Sequence, residues 1–174
     1  MRRSTDAALV RDLVRALGGL AREPATVYLV GGTTAVLEGW RQTTLDIDLY
    51  LEPEIEVILR AIPALKERLD VNIELASPLD FLPALPGWRD RSMFVSQEGR
   101  LTVRHFDLYA QALAKLERGF DQDGQDVAAM IERGLVDVAE LGRLLEAIEP
   151  ELYRFPAVDP ESLRGAVDEL GVTD

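Results

Sequence analysis

With 174 residues, 47% of them hydrophobic, the chain has enough length for one packed domain, or one domain with a helical appendage, and no apolar run long enough to cross a membrane. No cysteine and a single histidine exclude disulfides, thiolate metal sites and multi-histidine sites. The net charge of −12 is uneven: residues 1–120 hold 15 Lys or Arg against 17 Asp or Glu, residues 121–174 hold 4 against 14, and neither part has the broad basic surface that duplex DNA requires.

In chain order, the segment Met1–Asp6 has charge with no apolar signal core behind it, so a cytoplasmic protein is expected. Leu9, Val10, Leu13, Val14 and Leu17 recur at helical spacing, with Arg11 and Arg15 on the polar face and Gly18–Gly19 as the expected stop. Val27–Val30 is a β-branched, apolar strand running into Gly31–Gly32, and a short helix follows from Thr33 to about Glu38. A second strand runs from about Thr44 to Leu51. Pro53 opens a helix through Ile58, Leu59, Ile62 and Leu65, in which Pro63 predicts a kink or a break. Val71–Leu75 alternates apolar and polar residues, the pattern of a half-buried strand.

Pro78, Pro83 and Pro86 make Ser77–Trp88 a loop, packed rather than free because it carries Phe81, Leu85 and Trp88. Met93–Val95 and Leu101–Val103 flank Gln97–Arg100, a hairpin signal. Helices are expected at about 107–119, 123–133 and 137–148, with Asp107 and Asp137 as N-caps, and a last short one opens at Pro160. The fold class is α/β (α+β): a mixed sheet flanked by helices over residues 1–106, with residues 107–174 as a helical part packed on that core.

The chemistry concentrates in two places. Strand residues i and i+2 face the same way, so Asp46 and Asp48 stand side by side, roughly 7 Å apart at Cα, while Leu45, Ile47 and Leu49 point into a core. Two such carboxylates repel unless a cation sits between them, and Mg²⁺ is the hard ion that takes oxygen ligands and leaves room for phosphate; Mn²⁺ is the substitute. Gly31–Gly32, between a strand and a helix, exposes backbone N–H groups where phosphate can sit closely, and Thr33 or Thr34 adds a hydroxyl or caps the helix. Glu74, on the next predicted strand, is the candidate third carboxylate, with Asn72 on its face.

Gly-Gly followed by Asp-apolar-Asp resembles the nucleotidyltransferase superfamily, the polymerase-β-like fold. Arg41 and Thr44 precede the acids much as in abortive-infection toxins of the AbiEii type, and Lys115, Arg118, Asp123 and Asp126 resemble the later Lys, Arg, Asp-x-x-Asp motif of that group. Small bacterial nucleotidyltransferases of unassigned function are closest in general character, over roughly residues 25–135. The resemblance implies transfer of a nucleoside monophosphate from an NTP to a tRNA or protein acceptor. Asp46, Asp48 and Glu74 would be catalytic and metal-binding. Gly31, Gly32, Thr33, Thr34, Arg41, Thr44, Lys115 and Arg118 would bind nucleotide, and Asp123 and Asp126 would anchor Lys115 or Arg118. It also implies a toxin role with an antitoxin partner; a homo-oligomer is the other partner expectation. The rival is a catalytically silent nucleotide-binding or regulatory protein of the same fold.

Residues 121–126 imitate a calcium loop, but Gly124 falls at the fourth position instead of the sixth, and Val127–Ile131 looks helical. Arg41 is equally a partner for Asp46. His105, at a strand-to-helix joint, is expected to be structural, and Trp40, Tyr50 and Trp88 to be core or pocket wall.

Overall fold

A computed structural model describes residues 2–172 and divides them into two compact units: the chain up to Ser77 with Ser92–Phe106, and Pro78–Arg91 with the chain from Asp107 onward.

The first unit is built on a five-stranded mixed sheet, in the order β3-β2-β1-β5-β4. The strands are β1 (Ala25–Val30), β2 (Asp46–Glu52), β3 (Asn72–Leu75), β4 (Phe94–Glu98) and β5 (Leu101–His105). β1 is antiparallel to β2 and parallel to β5, β2 is parallel to β3, and β4–β5 is the expected hairpin, with Gly99 at φ 60 in its turn. α1 (Ala7–Leu20) and α3 (Glu56–Leu69) supply Leu13, Leu17, Ile58 and Ile62 to a core shared with Val27, Leu29, Ile47, Leu49, Ile73 and Val103. α2 (Gly32–Glu38) follows the glycine turn. Strand alternation leaves Asp46, Asp48 and Tyr50 on the sheet face opposite Ile47, Leu49 and Leu51, and Tyr28, Tyr50 and Phe106 form a ring cluster there.

Three expectations of this unit need correcting. Leu45 does not join Ile47 and Leu49 in the core: it precedes β2, outside the strand alternation, and is 72% exposed. α1 does not stop at Gly18–Gly19 but runs to Leu20. Gly18 is needed for packing: a Cβ there would lie 2.5 Å from the Glu98 Cβ and carbonyl oxygen of β4. Nor does Pro63 break α3, which is one helix from Glu56 to Leu69. Buried Ile58, Ile62 and Leu65 anchor both sides of the proline, and their burial outweighs the one lost backbone bond.

The second unit is helical. α5 (Leu108–Arg118), α6 (Asp121–Glu132), α7 (Val138–Ile148) and α8 (Pro160–Leu170) follow one another, with a 3₁₀ turn at Glu149–Arg154 before α8. Asp107 and Asp137 cap α5 and α7 as expected, accepting from the Tyr109 and Glu140 N–H groups. α6 begins two residues before its expected start, because the Asp123 carboxylate accepts the Phe120 N–H and closes the first turn. The proline-rich stretch belongs to this unit and is more ordered than a loop: Pro78–Asp80 is a 3₁₀ turn and Trp88–Arg91 a one-turn helix, α4. Leu85 and Trp88 are buried as expected, but Phe81 is exposed and Leu82 takes the buried place beside it.

Candidate active site

β2 and β3 set the acid face. Their register places Asp46 opposite Asn72 and Asp48 opposite Glu74, so the three carboxylates and the amide project from one side of two adjacent strands. The Asn72 Nδ2 donates to Asp46 Oδ1 at 2.7 Å and to Glu74 Oε1 at 3.0 Å. One amide nitrogen thus uses both its protons to hold two acids that would otherwise repel.

The turn faces the second acid. Val30, the last residue of β1, is the register partner of Asp48, and Gly31 follows it with φ 65 and ψ −132. Only glycine takes that backbone without strain. A Cβ on Gly31 would stand 3.1 Å from Asp48 Oδ2. A Cβ on Gly32 would stand 2.9 Å from Thr44 Cβ and 3.1 Å from Arg41 Nη1. The missing methyl groups are therefore what let Asp48, Thr44 and Arg41 close on the turn. Gly31, Gly32, Arg41, Thr44, Asp46, Asp48 and Glu74 all lie in the first unit.

Thr33 and Thr34 are buried and turned inward. The Thr33 hydroxyl accepts the Asp48 backbone N–H at 3.2 Å, and Thr34 Oγ1 lies 3.1 Å from the Leu29 carbonyl oxygen. Neither hydroxyl caps α2, whose cap position is Gly31. They fasten the helix to the strands.

Among the described residues, no three His, Cys, Asp or Glu side chains gather as a set able to hold a metal by themselves. Mg²⁺ does not require one: it is commonly held by one or two carboxylates together with substrate phosphates. Asp46 and Asp48, two hard oxygen donors beside a glycine turn whose Cβ positions are vacant for a close ligand, fit that mode.

The later motif lies in the second unit. Lys115 is buried on α5 and donates to Asp126 Oδ2 at 2.8 Å; its Nζ is 3.7 Å from Asp123 Oδ1. Arg118 makes a two-pronged contact with Asp123, at 2.8 and 2.5 Å. Burial pushes the Asp123 carboxyl up, but the Arg118 hydrogen bonds and charge, the Lys115 charge and the Phe120 N–H together hold it below the ordinary 3.8.

Two clusters had no signal in the sequence. Asp107, besides capping α5, receives Arg91 Nε and Nη2 at 3.2 and 2.7 Å, a pairing sixteen residues apart that no periodicity announces. His105 Nε2 lies 2.9 Å from Glu38 Oε1, and its Nδ1 lies 3.0 Å from Thr34 Oγ1, so it is tied to the helix that carries the turn. Burial pulls its pKa below 6.5 against the opposing charge and hydrogen bond of Glu38.

No curated protein and no solved structure matches the chain. A family model described as a nucleotidyltransferase of unknown function, DUF6036, matches residues 10–157, which takes in the glycine turn, the acid face and the Lys115 helix. The chain belongs to that family of nucleotidyltransferases.

Proposed function

We propose that the protein transfers a nucleoside monophosphate from an NTP to a tRNA or protein hydroxyl with Mg²⁺, Mn²⁺ serving as substitute, and that it acts as the toxin of a toxin–antitoxin pair. The observation that carries the transfer chemistry is the approach of Gly31 to the Asp48 carboxylate across the β1–β2 register. A triphosphate lying on the Gly31–Gly32 backbone would be within reach of Asp48, with Arg41 as a cationic neighbour of the turn. Asp46 and Asp48 would hold a divalent ion, which when bound would supply charge neutralisation at the phosphates and a lower pKa for the attacking hydroxyl. The chain's own residues do the rest. Gly31 and Gly32 let a phosphate approach the backbone closely, Thr33 and Thr34 hold the turn against β2 and β1, and Asn72 keeps Asp46 and Glu74 together. Positioning and preset charge carry most of a transfer at phosphorus. The acceptor and the toxin role rest on the likeness of Arg41, Thr44 and the later motif to AbiEii-type toxins.

Incubation with each labelled NTP, Mg²⁺ or Mn²⁺, and total tRNA or cell lysate tests the proposal. Label transferred by the wild type and lost in Asp46→Ala and Asp48→Ala supports it. Binding of NTP without transfer under any of these conditions supports the silent binder instead. One observation favours that second reading: Glu74 is joined through Asn72 to Asp46 and is not gathered with Asp46 and Asp48 into a three-carboxylate set.

A further inference from the structure

Beneath the glycine turn lies a buried polar chain that the transfer chemistry does not use. His105 ends β5, is 2% exposed, and has Leu29 of β1 as its register partner. Its two ring nitrogens meet two residues of α2, Thr34 in the first turn and Glu38 in the last. Thr34 Oγ1 is also 3.1 Å from the Leu29 carbonyl oxygen, which already accepts the Phe106 N–H at 2.9 Å.

A hydroxyl carries one proton, and a neutral imidazole has one donor and one acceptor nitrogen. With the ring neutral, Thr34 gives its proton to Nδ1 and Nε2–H donates to Glu38. With the ring charged, Nδ1–H donates to Thr34, and the Thr34 proton turns to the Leu29 carbonyl. Both arrangements satisfy these atoms with the heavy atoms in place. The chain therefore has two proton states and one geometry, and in each the ring ties both ends of α2 to β5. The neighbouring Thr33 ties the same turn to Asp48 of β2.

We propose that His105 is a positioning residue for the Gly31–Gly32 turn, a proton-linked strut that gains its proton when a nucleoside triphosphate occupies that turn. The inference rests on the nucleotide-binding part of the function proposed above. The charged side chain in ion-pair contact with the ring is Glu38 of α2; β1 presents Leu29, the segment before β4 presents the Met93 carbonyl, which takes the His105 backbone N–H, and α1 presents an apolar face of Leu9, Leu13 and Leu17. Burial disfavours the charged ring and Glu38 favours it. An anion arriving at the turn adds to the side of Glu38. By linkage, a nucleotide that raises the proton affinity of His105 must itself bind more tightly to the protonated protein.

His105 is the one histidine of the chain, so its imidazole signals in an NMR titration need no assignment. The full chain is titrated alone and with Mg²⁺ plus saturating ATP, GTP, CTP or UTP. The expected result is a midpoint raised by about half a pH unit or more, which by reciprocity is roughly threefold tighter nucleotide binding at the acid end. His105→Gln, whose amide can accept from Thr34 and donate to Glu38, is expected to bind within about twofold of wild type at pH 7.5 and to lose that tightening, which separates it from protonation of the nucleotide itself. Nucleotide binding with an unmoved midpoint, or a ring that stays neutral down to acid unfolding with and without nucleotide, overturns the strut and leaves the proposed function standing. No binding of any triphosphate overturns both.

Discussion

Each unit holds a set of close acids, and the two are neutralised differently. In the second unit Asp123 and Asp126 are buried, and each has a cation: Arg118 on the first and Lys115 on the second. In the first unit Asp46 and Glu74 are less buried, and the partner the two carboxylates share is a neutral amide, Asn72. A buried acid paired with a buried cation is a structural element, because removing either partner leaves a buried charge with less to offset it. Acids held by a neutral donor keep their negative charge available to an arriving cation. On the proposed function, the difference separates acids that maintain the fold from acids that serve the chemistry, and it predicts that mutating the two sets affects different observables.

The largest effect is expected at Asp46. On the proposed function, Asp46→Ala should lower nucleotide transfer roughly a thousandfold or more, since several kcal/mol of metal-borne stabilisation would disappear. Its stability to urea should fall by no more than about 1 kcal/mol, the worth of the Asn72 hydrogen bond it loses. Transfer assays and denaturation on the same preparation check both halves. A variant that unfolds instead would erase the distinction between the two acid sets.

Asp126→Ala is the converse. It leaves the buried Lys115 ammonium without its 2.8 Å partner and with only the longer 3.7 Å contact to Asp123, so the loss should approach the roughly 3–5 kcal/mol of a broken buried pair. Urea unfolding should show that loss, whereas Lys115→Met with Asp126→Leu should recover most of it, because a packed apolar pair replaces the ion pair. Recovery of stability in the double variant is the sharper test, since it separates a stranded charge from lost packing.

The acid half of the fold was more legible in the sequence than the acid chemistry. Asp46-Ile47-Asp48 shows its face by period two, and Gly31–Gly32 shows the turn because an adjacent strand and helix bracket it. Asp107 and Asp137 were recognisable as caps since capping is a local interaction. What stayed hidden is non-local. That Gly18 is a packing residue depends on Glu98 of a strand eighty residues on, and a glycine pair in a helical pattern reads as a stop when that neighbour is unknown. That Thr34 reaches inward depends on His105, and that Asp107 has a second role depends on Arg91. The partner of a charge is fixed by tertiary packing, and so the sequence could set Asp123 and Asp126 to anchor Lys115 or Arg118 without saying which acid takes which cation.

A smaller effect is expected at the turn. Gly32→Ala would drive a methyl group into Thr44, where overpacking costs about 1–3 kcal/mol or moves Thr44 and Arg41 away. Nucleotide affinity should fall with it, by about tenfold if the displacement removes one charge-assisted contact. A Gly32→Ala protein that is destabilised but binds NTP as before would place the nucleotide away from the turn.

The pH dependence of stability separates a histidine and an acid into two windows. His105 titrates below 6.5 in the folded chain, so the unfolded ring takes its proton first. Stability is then complete above about pH 6.5 and falls as the pH drops from there toward the folded midpoint, by at most about 1.4 kcal/mol per pH unit. Asp123 acts in a lower window. Its folded pKa is below 3.8, so its contribution is present above that value and is lost as the pH falls through the folded midpoint. Urea unfolding at pH 7.5 and 5.5 should show the first slope, and His105→Gln should abolish it without touching the second.

The smallest effect is expected where the two-set contrast is weakest, at Arg118. Its side chain is 58% exposed although its partner Asp123 is buried. Exposure screens the pair, and pairs of this kind are worth about 0–1 kcal/mol. Asp123 would keep the Lys115 ammonium at 3.7 Å and the Phe120 N–H at 3.2 Å after Arg118→Ala, so its charge would not be stranded. Its carboxyl should titrate closer to 3.8, because the Arg118 hydrogen bonds and charge are the leading forces that lower it. Thermal unfolding of Arg118→Ala beside Asp126→Ala makes the test. A loss within about 1 kcal/mol at Arg118 and several times that at Asp126 means that burial of the cation, rather than the count of ion pairs, determines which acids belong to the fold.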